Sequence, residues 1–381
     1  MKLSEGEPLK SADDGKRFVL YLAVLPGYRT ACIELLREKL GTDLGVFSGP
    51  YQLDRSVKTG IPNSLYTSVR DRSILGRVMI QTGHFRSVFH ADTAILDLNP
   101  RSLTAWALLL ARRGRRRRTL LWGHLHPRAG RQSSTARVRR WMRSLADGTV
   151  LYGYDSVTPA GEEVPGQPVW VAPNSLYRRD DMGSVGLDQV DAGAPRAIYV
   201  GRLVASKKVD LAIKALADPV LSETGLCLDI VGDGVDSDRL RRLAGELGVQ
   251  DRVSFHGGVT NPDDLKKLYS RAVCSLSPGY AGLSLTQSLG FGVPVVVADD
   301  EPHAPEIELV TLGGVHFFPA NSATGMASVM AQLAQDVLRQ PRDEIATKVM
   351  NAYSAEAMAG GLADAFLGRS QSLNADGWPI G

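Results

Sequence analysis

Residues 277–298 read Ser-Pro-Gly-Tyr-Ala-Gly-Leu-Ser-Leu-Thr-Gln-Ser-Leu-Gly-Phe-Gly-Val-Pro-Val-Val-Val-Ala. A Gly/Pro loop opens an apolar helical segment, Leu283–Phe291. Gly292 ends it, and the strand-like Val293–Ala298 follows. Gly279 and Gly282 allow a backbone to approach a ligand closely. The helix behind them opens with free N–H groups and the positive end of its dipole, which suits an anion. Two readings stand here side by side: a phosphate-binding loop, or an ordinary loop–helix–strand passage of an α/β domain.

Working outward, the same alternation fills the chain. In the second half, Ala197–Val200, Cys227–Val231, Val253–His256 and Val273–Leu276 read as strands. Helices alternate with them at Val209–Leu216, Asp238–Leu247 and Asp263–Ser270. In the first half, Phe18–Leu25 is a continuous apolar run bounded by Pro26-Gly27, as expected of a buried parallel strand. Thr30–Leu40, Ser102–Arg113 and Ala136–Ala146 have helical spacing, with strands at Thr93–Leu98, Thr119–Trp122 and Val150–Tyr152. Strand–helix alternation implies βαβ units and parallel sheets. The aperiodic stretch Asp180–Pro195 is the expected linker between two α/β halves. A helical tail, Arg342–Leu367, closes the chain.

Composition sets limits. The 381 residues suffice for two domains, and 44% hydrophobic with 22% charged residues is ordinary for a globular chain. The net charge is +3, yet six arginines fall between Arg112 and Arg118, and Arg128, Arg131, Arg137, Arg139, Arg140 and Arg143 follow. This favours anionic partners. Cys32, Cys227 and Cys274 lack metal-ligand spacing and fit a reduced compartment. No apolar run reaches the length of a membrane span, and the polar Met1–Lys16 lacks a signal-peptide core. A cytoplasmic chain is expected, peripheral to a membrane where the arginines meet anionic lipid.

Three further motifs precede the opening loop. In Tyr199-Val-Gly-Arg-Leu-Val-Ala-Ser-Lys-Lys-Val-Asp210, Arg202 and Lys207 follow a strand end and suit a diphosphate. Asp229-Ile-Val-Gly-Asp-Gly234 is another strand entering a Gly turn. Arg252-Val-Ser-Phe-His-Gly-Gly258 offers Gly257 and Gly258 for a flat base. In this order the series resembles the retaining glycosyltransferases of family four (GT4), which have the GT-B architecture of two Rossmann-like domains facing across a cleft. The resemblance is close over Ala197–Ala298 and looser elsewhere, including Val171-Ala-Pro-Asn174. It implies an acceptor-side domain at 1–179, a nucleotide-sugar domain at 190–342, and helices of 343–381 packing back on the first.

The resemblance also implies roles. Arg202 and Lys207 clamp the diphosphate of a UDP-, GDP- or dTDP-sugar, with Gly257, Gly279, Tyr280, Gly282, Leu283 and Ser284 around the donor. The family usually has two Glu eight residues apart in this loop; Gly279 and Gln287 stand there. Gln287 keeps an amide for a ribose hydroxyl, and Glu306 and Glu308 offer carboxylates in the next loop. Trp122-Gly-His124 matches a family pattern and favours His124 over His126 for a hydrogen bond to a sugar hydroxyl or the acceptor, beside the reading of a structural turn histidine; Gly27 and Arg29 follow the first strand, in a loop that the family holds over the donor phosphates and acceptor. Expected is a metal-independent hexosyltransferase without a bound cofactor, helped by cations and a helix end. Its acceptor is a saccharide or lipid-linked saccharide of polysaccharide or envelope glycan assembly. A non-catalytic nucleotide-sugar binder and a GT-B-fold sugar epimerase are the alternatives. Arg112–Arg118, after the apolar Leu103–Leu110, reads as an anionic-membrane contact or as a solvated helix end. No aromatic residues interleave with these arginines, against nucleic acid.

Overall fold

Apolar runs bounded by Gly and Pro become buried parallel strands in both halves of the chain. The computed structural model describes residues 15–53, 57–185, 194–336, 340–374 and 377–379. The chain divides into unit 1, residues 1–173 with 355–380, and unit 2, residues 174–354 with Gly381.

In unit 1 the strands are β1 (Phe18–Leu22), β2 (Leu44–Ser48), β3 (Thr67–Ser68), β4 (Arg70–Ile74), β5 (Val78–Thr82), β6 (Thr93–Asp97), β7 (Arg118–Gly123), β8 (Gly148–Leu151) and β9 (Val169–Val171). Seven form one sheet in the order β3-β2-β1-β6-β7-β8-β9, and β4 and β5 make a separate hairpin. All pairings in the larger sheet are parallel. Side chains alternate between its faces. Leu20, Leu22, Ile95 and Trp122 pack with Ile33 and Leu36 of the helix Thr30–Leu40 and with Leu362 and Phe366 of the helix Ala355–Leu367. Val19, Tyr21 and Leu96 pack on the other face with Leu108 and Leu109 of the helix Leu103–Arg112.

In unit 2 the strands are β10 (Arg196–Val200), β11 (Cys227–Val231), β12 (Val253–Gly257), β13 (Ala272–Ser277), β14 (Val295–Ala298) and β15 (Val315–Phe318). Their order is β12-β11-β10-β13-β14-β15, parallel throughout. This 3-2-1-4-5-6 order is that of a Rossmann sheet. Asp229, within β11, is buried. Arg196 donates to both its oxygens, at 2.6 and 2.7 Å, and His256 lies 2.7 Å away. Burial alone would raise this carboxyl, but Arg196 and His256 outweigh it and hold it below the usual range.

Two expectations need correction. The helices of 343–381 do not all return to unit 1: the segment up to Ser354 belongs to unit 2. The tail breaks at Ser354, whose backbone is extended. The helix Arg342–Tyr353 stays with unit 2, where Arg342 donates to the Ala272 carbonyl at 2.7 Å and Tyr353 donates to Glu308. The chain joins unit 1 from Ala355 onward, beginning with the helix Ala355–Leu367. There a side chain on Gly361 would stand 1.9 Å from the Val171 carbonyl oxygen, so the close approach requires glycine. Of the expected linker, residues 186–193 lie outside the described residues. Its first part is fastened to unit 2, since Gly183 and Val185 donate to the carbonyls of Gly290 and Phe291 at 2.9 and 3.1 Å.

Candidate functional site

In an open parallel sheet, ligands bind beyond the carboxyl ends of the strands where the order reverses. In unit 2 that point lies between β10 and β13. The two loops leaving these strands are Gly201–Lys207 and Pro278–Gly282, so the topology brings together the motifs singled out from sequence. They touch. Tyr280 N–H donates to the Ser206 carbonyl at 3.2 Å, and Lys207 Nζ donates to the Tyr280 carbonyl at 2.6 Å. The ammonium also sits 5.1 Å from the Tyr280 ring centroid. A side chain on Gly279 would meet the Ser206 carbonyl oxygen at 2.4 Å. Gly279 thus serves loop contact, where a larger residue would push the loops apart.

The helix Leu283–Gly290 starts at this junction, with Gly282 as its N-cap. Leu285 N–H is taken by the Gly282 carbonyl at 2.9 Å. The N–H groups of Leu283 and Ser284 have no partner within the helix. Ser284 Oγ lies 3.3 Å from Ser277 Oγ. Arg202 is exposed, and its guanidinium makes no hydrogen bond or ion pair with a described residue. Its carbonyl accepts from the Tyr199 hydroxyl at 3.0 Å, fixing the turn from which it projects. Lys208, by contrast, is engaged by Glu301 and, at 2.7 Å, by Asn321. Gly257 ends β12, two strands away from β10, and its carbonyl accepts from Gly232 N–H at 2.7 Å.

Gln287 and the two glutamates depart from expectation. Gln287 is buried on the inner side of its helix, and its amide nitrogen lies 3.4 Å from the Tyr269 hydroxyl, beside Ser288 and Ser275. Glu306 and Glu308 lie buried in the 3-10 segment Pro305–Leu312. Glu306 accepts from Asn174 at 3.0 Å and Glu308 from Tyr353. These are bonds within the framework of unit 2. His303, a residue to which the sequence assigned no part, supports the loop instead. Its Nδ1 accepts from Ala281 N–H at 3.1 Å and its Nε2 donates to the Ala298 carbonyl at 2.8 Å. A backbone donor on one side and a backbone acceptor on the other fix that tautomer.

Unit 1 has its own reversal, between β1 and β6, and a polar cluster stands there. Asp97, the last residue of β6, accepts from Ala23 N–H just past β1. Burial pushes its carboxyl up to about 6, against the pull of that N–H and of the Arg29 and Arg139 cations. Half-buried His124, beyond β7, packs against the Tyr152 ring with centroids 4.8 Å apart. Burial, then Arg139 and Arg29, push it down to about 4, so it is neutral at physiological pH. Arg139 donates to the His124 carbonyl at 2.6 Å. Arg29 is buried, donates to the Tyr152 hydroxyl at 2.9 Å and lies 4.6 Å from the Trp122 ring centroid. Its Nε is buried without a hydrogen-bond partner among the described residues. Gly27 faces Gly60 in the same region. His126 pairs with Glu163 at 2.6 Å and belongs to a different cluster with Arg143. Asp97, Arg139 and Tyr152 were not selected from sequence. An acidic residue closing a buried apolar strand was the signal for Asp97.

The comparisons with known proteins follow this geometry. Residues 189–348 match the family "Glycosyl transferases group 1". A D-inositol 3-phosphate glycosyltransferase of Acidothermus cellulolyticus is 34% identical over 113 residues, 26% of this chain and 25% of that protein. The chain spans a quarter or less of the length of several curated relatives it matches, this one included. Among solved structures, the lipopolysaccharide outer core galactosyltransferase WaaB covers 92% of this chain, and 99% of WaaB is covered, with a TM-score of 0.65 at 14% identity. HepE of Anabaena in complex with UDP gives the same TM-score and identity over 92% of this chain and 100% of its own. The chain therefore has the GT-B fold of two Rossmann-like units, and its residues 189–348 carry a glycosyl transferases group 1 domain.

Proposed function

We propose that the chain is a retaining glycosyltransferase that moves a sugar from a nucleoside-diphosphate sugar (UDP-, GDP- or dTDP-linked) to a saccharide or lipid-linked saccharide. The observation that carries this reading is the meeting of the Gly201–Lys207 and Pro278–Gly282 loops at the reversal point of unit 2. That point offers Arg202, Lys207 and the first N–H groups of the helix Leu283–Gly290 to one diphosphate. HepE, a structural neighbour, was solved with UDP and with UDP-glucose.

In the proposed reaction, the bond from the anomeric carbon to the diphosphate oxygen breaks and its electron pair leaves with the diphosphate. The acceptor oxygen bonds to the same face of the anomeric carbon, and its proton passes to the departing phosphate oxygen. Arg202 and Lys207 would offset the charge that develops there, a role that needs no metal. Neutral His124 would accept or donate a hydrogen bond to a hydroxyl of the acceptor.

Titration calorimetry with UDP, GDP and dTDP tests the site. One nucleotide should bind, and Arg202→Ala should weaken it about tenfold or more, as expected for a charge-assisted hydrogen bond. Unchanged affinity in both Arg202→Ala and Lys207→Ala would refute the site. Binding without transfer to any saccharide would favour the non-catalytic alternative.

A further inference from the structure

The face of unit 1 formed around the helix Leu103–Arg112 has no role in the function proposed above. This helix is apolar on both sides. Ala105, Leu108 and Leu109 enter the core, while Leu103, Ala107 and Leu110 form an outward stripe, with Leu103 42% and Leu110 53% exposed. Beside the stripe lies a groove of about 650 Å³ lined by Phe85, Phe89, Leu103, Ala107, Leu108 and Ala111. Its charged or titratable lining residues are Arg86 and His90; no carboxylate lines it.

Three further features flank the groove. Arg115 lies over the Phe89 ring, 4.1 Å from its centroid, with exposed Arg113 and Arg116 alongside. Arg112 is excluded from this surface: it is buried and donates to the carbonyls of Val88, Phe89, Ala91 and Arg118. Arg118 is likewise turned to the Phe366 carbonyl. Next, Trp141 is 60% exposed and packs on Trp106 with centroids 4.8 Å apart. It shares the helix Ser134–Ser144 with exposed Arg137 and Arg140. Last, the β4–β5 hairpin runs beside the helix, held by Met79 N–H on the Arg101 carbonyl and Gln81 N–H on Thr104, both at 2.8 Å. Its turn presents Ile74 and Leu75 between exposed Arg72 and Arg77.

Exposed aliphatic residues, an exposed indole and surrounding arginines without carboxylates in the groove fit the boundary of an anionic bilayer. There, acyl chains meet apolar side chains, Trp takes the interface and phosphates meet the cations. We propose that this face docks unit 1 on an anionic lipid bilayer, the groove taking one acyl chain and Arg113, Arg115 and Arg116 the lipid phosphates. The inference is independent of the nucleotide site.

Co-sedimentation of the full chain with vesicles tests it, comparing phosphatidylcholine alone with phosphatidylcholine mixed with phosphatidylglycerol. Only the mixed vesicles should retain the chain, less so as salt rises. The triple variant R113Q/R115Q/R116Q should bind on the order of a hundredfold more weakly, at roughly fivefold per arginine. L103S/L110S keeps every arginine and should also lose vesicle binding, which separates chain insertion from bare charge attraction. All substituted side chains are exposed, and unchanged circular dichroism and melting confirm folding. Equal binding to both vesicle types, no binding to either, or full retention by either variant would overturn the proposal. So would displacement of the chain from vesicles by duplex DNA at equal phosphate concentration.

Discussion

Asp97 and His124 should hide each other's effect on stability, and one substitution should expose it. Burial moves Asp97 up to about 6 and His124 down to about 4. In the unfolded chain the ordinary values are about 3.9 and about 6.5. Between these limits the folded state holds an Asp97 proton that the unfolded state lacks, and the unfolded state holds a His124 proton that the folded state lacks. Each difference is worth about 1.4 kcal/mol per pH unit, with opposite sign. The Asp97 contribution is complete below pH ~3.9 and is lost as pH rises through about 6. The His124 contribution is complete above pH ~6.5 and is lost as pH falls through about 4. Over roughly two pH units each amounts to about 3 kcal/mol at most, and partial solvent contact of both side chains trims this to about 2. In the parent chain the two nearly cancel. Asp97→Asn keeps an oxygen for Ala23 N–H and removes the titration. Its stability relative to the parent should therefore climb by about 2 kcal/mol from pH 4 to pH 7. His124→Asn should show the opposite trend. All five tryptophans lie in unit 1, so urea unfolding followed by tryptophan fluorescence reads this unit selectively. A difference between Asp97→Asn and parent that stays flat across this range would refute the buried, proton-holding Asp97.

Other substitutions probe the contacts that shape each unit. Gly279→Ala should separate the two loops of unit 2, costing about 1–3 kcal/mol of local strain, so calorimetry should show weaker nucleotide binding with the tryptophan-monitored transition unmoved. Gly361→Ala places a methyl group 1.9 Å from the Val171 carbonyl oxygen; it should lower that transition by about 3 kcal/mol, whereas an unchanged midpoint would mean the helix does not dock this way. Asp229→Asn leaves Arg196 and His256 without their carboxylate and should cost unit 2 about 3–5 kcal/mol by denaturant unfolding. Because the Asp229 carboxyl is held low, its contribution is present above pH ~3.9 and should fade only in acid below that value.

What the sequence disclosed follows from how each element is stabilised. The inner strands of unit 2 were legible because they are buried on both faces and so read as apolar runs, such as Val295–Ala298, whereas β15, with two exposed residues, was not read. β2, Leu44-Gly-Val-Phe-Ser, escaped notice because Gly45 and Ser48 interrupt such a run, although the strand is buried throughout. The β4–β5 hairpin escaped because its burial is slight and its turn is Leu75-Gly76 rather than an Asn-Gly pair. At the site, the Gly201–Lys207 and Pro278–Gly282 loops were legible because glycine and cation spacing is local. Gln287 was misplaced because position within a loop motif does not say which way a helical side chain turns. The buried cluster around Asp97 draws on β1, β6, β7 and β8, and no local spacing in the sequence joins those strands.

The two sheets reach their reversal points with opposite chemistry. At unit 2 the loops close on each other through backbone contacts at Gly279 and Ser206, and Arg202 is left exposed beyond them, held only through its own turn. An exposed guanidinium outside any ion pair meets an incoming anion without first breaking one. At unit 1 Arg29 donates to the Tyr152 hydroxyl and Arg139 to the His124 carbonyl, while the buried Nε of each has no hydrogen-bond partner among the described residues. Burial, with those cations adding to it, leaves His124 neutral, and burial raises the Asp97 carboxyl against their pull. This cluster presents a neutral imidazole beside cations that already donate to a hydroxyl and a carbonyl. It is suited to hydrogen-bond an uncharged, hydroxyl-bearing molecule, since a neutral imidazole offers both a donor and an acceptor. The reading proposed above, a donor anion at unit 2 and an acceptor hydroxyl at unit 1, rests on an exposed Arg202 in the one and a neutral His124 in the other.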